Sequence, residues 1–108
     1  MRVLFATSEL YPLIKTGGLA DVCYSLPLAL EALGHEIKII LPFYRSIKEK
    51  LQADKCLFQG KVFGYIGDVA IYSVPLKKDS KVEVLLVDAV DLFDRDGGPY
   101  VDENNCTW

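Results

Sequence analysis

Four consecutive residues near the start of the chain combine groups that could bind an anion. Lys15 carries a positive charge, Thr16 a hydroxyl, and Gly17 and Gly18 no side chain, directly before a segment with helical periodicity. A helix N-terminus presents unpaired N–H groups and about half a positive charge, which favour anions. Because glycine lets a ligand approach the backbone closely, this combination suits a diphosphate.

The segment differs from the two standard phosphate-binding loops. A P-loop places its lysine after the glycines, whereas here Lys15 precedes them, and the Gly-x-Gly-x-x-Gly fingerprint of dinucleotide-binding proteins is absent. A strand followed by Gly-Gly and a helix is also a common structural turn. On the residues alone, a plain turn and an anion site explain the segment equally well.

Two roles are open for each of three polar residues, Glu9, Asp21 and His35. Glu9 could orient the glycine loop or face a bound ligand. Asp21 could bind hydroxyl groups of a substrate, but a carboxylate in the first helical turn also complements the helix dipole, and we favour that structural role. For His35, directly after Gly34, we prefer capping of the last helical carbonyls to a catalytic role.

The elements around this segment predict a βαβ unit. Residues 2–7 form a short apolar run typical of a buried parallel strand, and residues 36–42 predict a second strand. With a helix between them, the two strands should be parallel with a right-handed crossover. Ligands of open parallel sheets bind beyond the carboxyl ends of the strands, where the Lys15–Gly18 segment should lie.

The helix pattern itself predicts one apolar face, a stop and an irregularity. Gly34 suits a left-handed stop, and Pro27 predicts a kink or two shorter helices, because proline costs roughly 3 kcal/mol in a helix interior. The residues that recur at intervals of three and four, and that should therefore form the buried face, are Leu19, Val22, Leu26, Ala29, Leu30 and Leu33.

The remaining segments complete an α/β pattern. Residues 44–51 could form a short helix, and residues 57–63, 69–76 and 82–88 predict strands, the last two joined as a hairpin by a polar turn. After Asp88 no periodic pattern is left, which suggests that the chain stops within a larger domain. We predict a Rossmann-like fold with a mostly parallel sheet and helices on its faces.

Composition and charge exclude several classes of partner. The 108 residues, 51% hydrophobic and 25% charged, suit one small domain. The net charge of -3 argues against nucleic acid and against an anionic membrane surface, and no segment has the apolar length of a membrane span or signal peptide. Cys23, Cys56 and Cys106 predict reduced packing cysteines in a cytoplasmic protein, and no spacing predicts a metal site or cofactor.

Two segments resemble a known family, the bacterial glycogen synthases and plant starch synthases. The opening segment, "MRVLFATSELYPLIKTGGLADV", has the strand, Ser-Glu, Pro and Lys-Thr-Gly-Gly-Leu-Ala-Asp-Val in the order and spacing of that family. Near the other end, "LFDRDGGPYVDENN" resembles a second family motif, although Asp96 stands where relatives often have proline. Residues 52–81 resemble the family only in general character.

The resemblance implies a retaining glucosyltransferase built from two Rossmann domains (the GT-B architecture). Such enzymes transfer glucose from ADP-glucose, or in some relatives UDP-glucose, to the non-reducing end of an α-1,4-glucan (glycogen or starch). By this resemblance Lys15 binds ADP-glucose, Gly17 and Gly18 line the same wall, and Tyr100 lies near the substrate. Charge development on the departing ADP would then be stabilised without a divalent metal.

The same resemblance implies that the chain is incomplete. Residues 1–108 correspond to part of the N-terminal domain, the C-terminal donor-binding domain is absent, and the family's catalytic residues lie beyond residue 108. We therefore expect no catalytic residue in this chain and no transferase activity from it alone. Two alternatives stay open, a non-catalytic module that binds a nucleotide sugar or a glucan, and a two-domain glycosyltransferase with another donor.

Overall fold

A computed structural model describes residues 1–51, 55–62 and 67–89. In these ranges the chain forms a sheet with helices on one of its faces. The strands and helices, in chain order, are β1 (Arg2–Ala6), α1 (Gly18–Ala32), β2 (Glu36–Pro42), α2 (Arg45–Lys48), β3 (Lys55–Gly60), β4 (Val69–Pro75) and β5 (Glu83–Asp88).

The sheet has the strand order β1-β2-β5-β4-β3 and is mixed. β1 pairs with β2, and β2 with β5, in parallel, which confirms the parallel arrangement predicted for the βαβ unit. β5 with β4, and β4 with β3, are antiparallel, so the predicted hairpin is also confirmed. The described sheet is therefore mixed and not mostly parallel, because short connections join β3 to β4 and β4 to β5, and neighbouring strands joined in this way are antiparallel.

The hydrophobic core lies between the central strands and the helices. Ile39 and Leu41 of β2 and Leu86 of β5 are almost completely buried on one face of the sheet. Ile47 of α2 and Leu10 of the loop after β1 are fully buried in the same cluster. The loop is thus part of the core, which gives the segment around Lys15 a rigid base.

The buried face of α1 differs from the predicted one. Ala20, Cys23 and Pro27 are buried, and a neighbouring stripe of large apolar residues is exposed by 42% to 74%: Leu19, Val22, Leu26 and Leu33. Of the other two predicted positions, Ala29 is exposed and Leu30 is half-buried. Periodicity shows that apolar stripes exist, but it cannot tell which of two adjacent stripes lies against the sheet.

α1 runs unbroken from Gly18 to Ala32 with Pro27 inside it, so the prediction of two shorter helices is wrong, while the kink stays a prediction. The predicted stop is confirmed, since Gly34 has a φ of 96°. Its N–H donates to the Glu31 carbonyl at 2.9 Å, and the His35 N–H donates to the Leu30 carbonyl at 3.2 Å. This is the pattern of a Schellman motif.

His35 caps the helix through its backbone and not through its imidazole. Among the described residues, its buried Nδ1 atom has no hydrogen-bond partner. The prediction that His35 caps the last helical carbonyls is thus confirmed for its backbone N–H, which the reversal at Gly34 brings to the last turn of the helix.

Candidate functional site

The segment from Lys15 to Gly18 lies at the carboxyl ends of the parallel strands. β1 ends at Ala6, and its register with β2 brings Ala6 opposite Ile40, near the end of β2. β5 ends at the same edge, since Val87 pairs with Pro42. The loop that leads from β1 into α1 therefore stands at the edge where open parallel sheets bind ligands.

The centre of this loop is the buried carboxylate of Glu9, which is 2% exposed. Its Oε1 atom accepts hydrogen bonds from the backbone N–H groups of Thr16, Gly17 and Ala20 at 3.3, 3.2 and 3.2 Å. Its Oε2 atom accepts a hydrogen bond from the Thr16 hydroxyl at 2.7 Å. Of the two roles considered for Glu9, these contacts show that it orients the glycine loop.

Glu9 is itself held in place by the surrounding chain. The Thr7 hydroxyl donates to the Glu9 carbonyl at 2.9 Å, and the Cys23 thiol of α1 donates to the Thr7 oxygen at 3.2 Å. The Tyr11 N–H donates to the Ala20 carbonyl at 3.1 Å, which ties the loop directly to the helix. The carboxylate is thus fixed relative to both β1 and α1.

The helix N-terminus is consequently less open than the sequence suggested. Gly17 is the N-cap residue and offers no side chain, while Glu9 accepts the hydrogen bond of the Ala20 N–H, which an N-cap side chain usually accepts. Gly18 and Leu19 are the first two residues of α1, so their N–H groups have no acceptor within the helix itself. An anion would meet those two groups and Lys15, whereas the Thr16 hydroxyl is already engaged by Glu9.

Lys15 pairs with Asp21 at the exposed side of the loop. The Nζ atom lies 2.8 Å from Oδ2 and 3.1 Å from Oδ1, and the two side chains are 48% and 53% exposed. The hydrogen bond and the charge of Asp21 raise the pKa of Lys15 above its ordinary value, so Lys15 is a cation at neutral pH. Exposed pairs of this kind are weak, which leaves the ammonium able to exchange Asp21 for another anion.

Gly17 and Gly18 are exposed and surrounded by open space. A Cβ atom added at either position would meet no atom within 4 Å. Gly17 has a φ of -166°, an extended conformation that any residue adopts. Neither the backbone nor a described neighbour therefore requires glycine at these positions, and the open space is large enough for a ligand to approach the loop.

The structure places Lys15, Gly17 and Gly18 in one exposed loop. It adds Glu9, whose carboxylate accepts hydrogen bonds from Thr16, Gly17 and Ala20 of this segment. Tyr100 lies outside the described residues, as does Cys106. An acid two residues after the strand, followed by a glycine loop, is the sequence signal that could have predicted the role of Glu9. Reasoning from residue types left that role open, because the carboxylate and the loop are separated by several residues.

The predictions on cysteines, metal ligands and membrane spans can be compared with the described part of the chain. Cys23 is buried as a packing cysteine should be, whereas Cys56 is exposed; both are free thiols. In the described ranges, no three His, Cys, Asp or Glu side chains come together as metal ligands. Neither helix in this part of the chain has the length and apolar character that crossing a membrane requires.

Comparison with known proteins decides the family. The family model of the starch synthase catalytic domain matches residues 2–108. This chain belongs to that family. Among starch and glycogen synthases, the glycogen synthase of Paramagnetospirillum magneticum is 46% identical over 100% of this chain and 22% of its own length. That of Marinomonas sp. is 44% identical over 96% of this chain and 22% of its own length.

These values confirm the resemblance drawn from the two motifs and extend it across the middle of the chain. A third relative, the glycogen synthase of Cereibacter sphaeroides, is 45% identical over 92% of this chain and 20% of its own length. The chain thus spans about a fifth of the length of the glycogen synthases that it matches.

Proposed function

We propose that the full-length protein is a glycogen or starch synthase that transfers glucose from ADP-glucose to the non-reducing end of an α-1,4-glucan with retention. This chain would form part of the N-terminal domain of a GT-B enzyme, and the rest of the protein would supply the donor-binding domain and the catalytic residues. The carrying observation is the exposed ammonium of Lys15 beside a glycine loop at the carboxyl edge of the sheet.

The chemistry of the reaction fits this arrangement. Departure of ADP from glucose builds negative charge on the diphosphate, and groups placed where charge develops lower the barrier. Lys15 would exchange its weak pairing with Asp21 for the diphosphate, since a group with more negative charge competes well for an exposed cation. The N–H groups of Gly18 and Leu19 lie in the first turn of α1, and the N-terminus of a helix favours an anion.

The open space at Gly17 and Gly18 gives the second support. Side chains at these positions would occupy volume that no described residue fills, so their absence leaves room for a sugar nucleotide against the backbone. The second family motif supports adding Tyr100 to the substrate-binding residues. The substrates would be ADP-glucose and the glucan, with no metal or other cofactor.

The proposal is tested by steady-state kinetics of the full-length protein with ADP-glucose and glycogen. Lys15→Ala should lower kcat/KM for the donor about tenfold to a hundredfold, because it removes one charge-assisted contact to the diphosphate. The KM for glycogen should stay unchanged. Lys78→Ala, which removes an exposed lysine of the polar turn after β4, is the matched control and should behave as the parent enzyme.

Three results would count against the proposal. Unchanged donor kinetics of Lys15→Ala would remove the residue from the site. Binding of ADP-glucose without glucan extension would support the non-catalytic module. A higher kcat/KM with another sugar nucleotide would indicate a glycosyltransferase with a different donor.

A further inference from the structure

We propose that Glu9 is a positioning residue of the donor-binding loop, which keeps Lys15 and the glycine backbone in the orientation that the diphosphate requires. This inference rests on the proposed function. It concerns a residue that does not itself reach the donor, since Glu9 is 2% exposed and lies beneath the loop.

The contacts of Glu9 span the whole segment. Oε1 receives the N–H groups of Thr16, Gly17 and Ala20, and these cover the residue after Lys15, the N-cap and the first turn of α1. One oxygen atom therefore fixes the direction of the backbone on both sides of Gly17 and Gly18. Without the Glu9 carboxylate, these N–H groups would lose their acceptor in a partly buried environment, which is unfavourable.

The position of the carboxylate also determines where an external anion can bind. Glu9 occupies the inner side of the helix N-terminus, so its charge repels a phosphate from the amides that it holds. The remaining N–H groups of Gly18 and Leu19, together with Lys15, are on the outer side. A diphosphate would thus bind along the outside of the loop, unlike the phosphate of a P-loop, which the loop amides surround.

The loop depends on Glu9 more than on any other described side chain at this helix end. Gly17 contributes no N-cap side chain, and the Thr16 hydroxyl donates to Glu9 itself. Loss of the carboxylate would remove the hydrogen bonds that hold the backbone next to Lys15. The Lys15 ammonium would then no longer be held in one defined position. Misplacement of a binding group is costly when the bound geometry is narrow.

The experiment compares Glu9→Gln with Glu9→Ala in the full-length enzyme, with initial rates measured against ADP-glucose and against glycogen. Gln keeps an oxygen that can accept the three N–H groups, and its amide nitrogen can donate to the Thr16 hydroxyl. We expect the donor KM of Glu9→Gln to stay within about threefold of the parent, and that of Glu9→Ala to rise about tenfold or more. The KM for glycogen should change in neither variant.

Thr16 provides a second, milder pair in case Glu9→Ala does not fold. Thr16→Val removes the hydroxyl that donates to Oε2, and Thr16→Ser keeps it. We expect Thr16→Val to raise the donor KM about threefold to tenfold, and Thr16→Ser to restore the parent value. A structural role alone would lower stability without this separation of the donor KM from the glycogen KM.

The outcomes separate this inference from the proposed function. The positioning role is overturned if a folded Glu9→Ala enzyme keeps the donor KM of the parent. It is also overturned if Glu9→Gln raises the donor KM as much as Glu9→Ala does, or if Thr16→Val and Thr16→Ser have identical kinetics. If Lys15→Ala impairs donor use in that same series, the proposed function stands and only the role of Glu9 fails. If the parent enzyme extends no glucan, the proposed function fails first.

Discussion

At the residue scale, the buried carboxylate of Glu9 holds the loop that we propose to bind the diphosphate of the donor. Glu9 accepts the hydrogen bond of the Ala20 N–H, which a Ser, Thr or Asp at the N-cap would otherwise accept, although Glu9 lies eight residues before Gly17 in the chain. Because Glu9 provides this acceptor, the N-cap residue can be a glycine, and the space beside Gly17 is open. Lys15 then stands at the exposed side of the loop, paired with Asp21.

Asp21→Asn should lower the pKa of Lys15 toward its ordinary value, because the hydrogen bond and the negative charge of Asp21 both favour the ammonium. An NMR titration of the Lys15 side chain in the full-length protein measures this shift. Asp79→Asn, which removes an exposed carboxylate in the turn after β4, should leave the titration of Lys15 unchanged. An equal titration in Asp21→Asn would show that the pair does not form in solution.

At the element scale, α1 is joined to the rest of the fold at both ends. Its first turn is held by Glu9, and its last turn by the Schellman motif at Gly34. Glu31 also accepts hydrogen bonds from the Ser80 hydroxyl at 2.7 Å and the Lys81 N–H at 2.9 Å, which fastens the hairpin between β4 and β5 to the helix. The helix is therefore a fixed base for the loop that precedes it.

Gly34→Ala should destabilise the protein by about 1 kcal/mol, because its φ of 96° is unfavourable for a residue with a Cβ atom. Gly17→Ala is the matched control, since its φ of -166° suits any residue and no atom lies near the added Cβ. Chemical unfolding of the full-length protein should show a loss for the first variant and none for the second. Equal stabilities would contradict the left-handed conformation of Gly34.

The contact between β4 and β5 makes the stability depend on pH. The Ser73 hydroxyl donates to Glu83 at 2.7 Å, and together with Lys38 it lowers the pKa of Glu83 below its ordinary value. A depressed carboxyl pKa stabilises the fold above the unfolded pKa, and this contribution is lost as the pH falls through the folded one.

Ser73→Ala should therefore lower the free energy of unfolding by about 1 kcal/mol at neutral pH, a value reduced by the partial exposure of Glu83. The difference from the parent should shrink as the pH falls through the depressed pKa of Glu83. Unfolding titrations at a series of pH values measure it. A difference that is the same at neutral and acidic pH would show that lost packing, and not the Glu83 contact, explains the variant.

At the scale of the whole molecule, the described part of the chain leaves an apolar stripe and a sheet edge uncovered. The stripe of Leu19, Val22, Leu26 and Leu33 on α1 is largely exposed, and β1 is at the edge of the described sheet. The chain spans about a fifth of the length of the glycogen synthases that it matches. All three observations suit the proposal that this chain forms one part of a larger two-domain enzyme.

The 108-residue chain by itself should therefore transfer no glucose from ADP-glucose to glycogen, because we propose that the donor domain and the catalytic residues belong to the rest of the protein. Incorporation of labelled glucose into glycogen measures this activity, with the full-length protein as the positive control. Glucan extension by the short chain would contradict the proposed division of the active site.

The sequence by itself determined the features that depend on local chemistry. The strand before the loop, the helix after it, the reversal at Gly34 and the hairpin after β4 all follow from periodicity and turn residues within a few positions of each other. The two motifs indicated the family, since their residue types and spacing are characteristic of it.

Only the tertiary structure decided what depends on residues distant in the chain. It showed which apolar stripe of α1 is buried, that the described sheet is mixed, and that Glu9 accepts the hydrogen bonds of the glycine loop. The physical reason is common to all three. Which residues are buried, which strands pair and which groups a carboxylate binds all depend on contacts between elements distant in the chain. These contacts form only when the elements pack together.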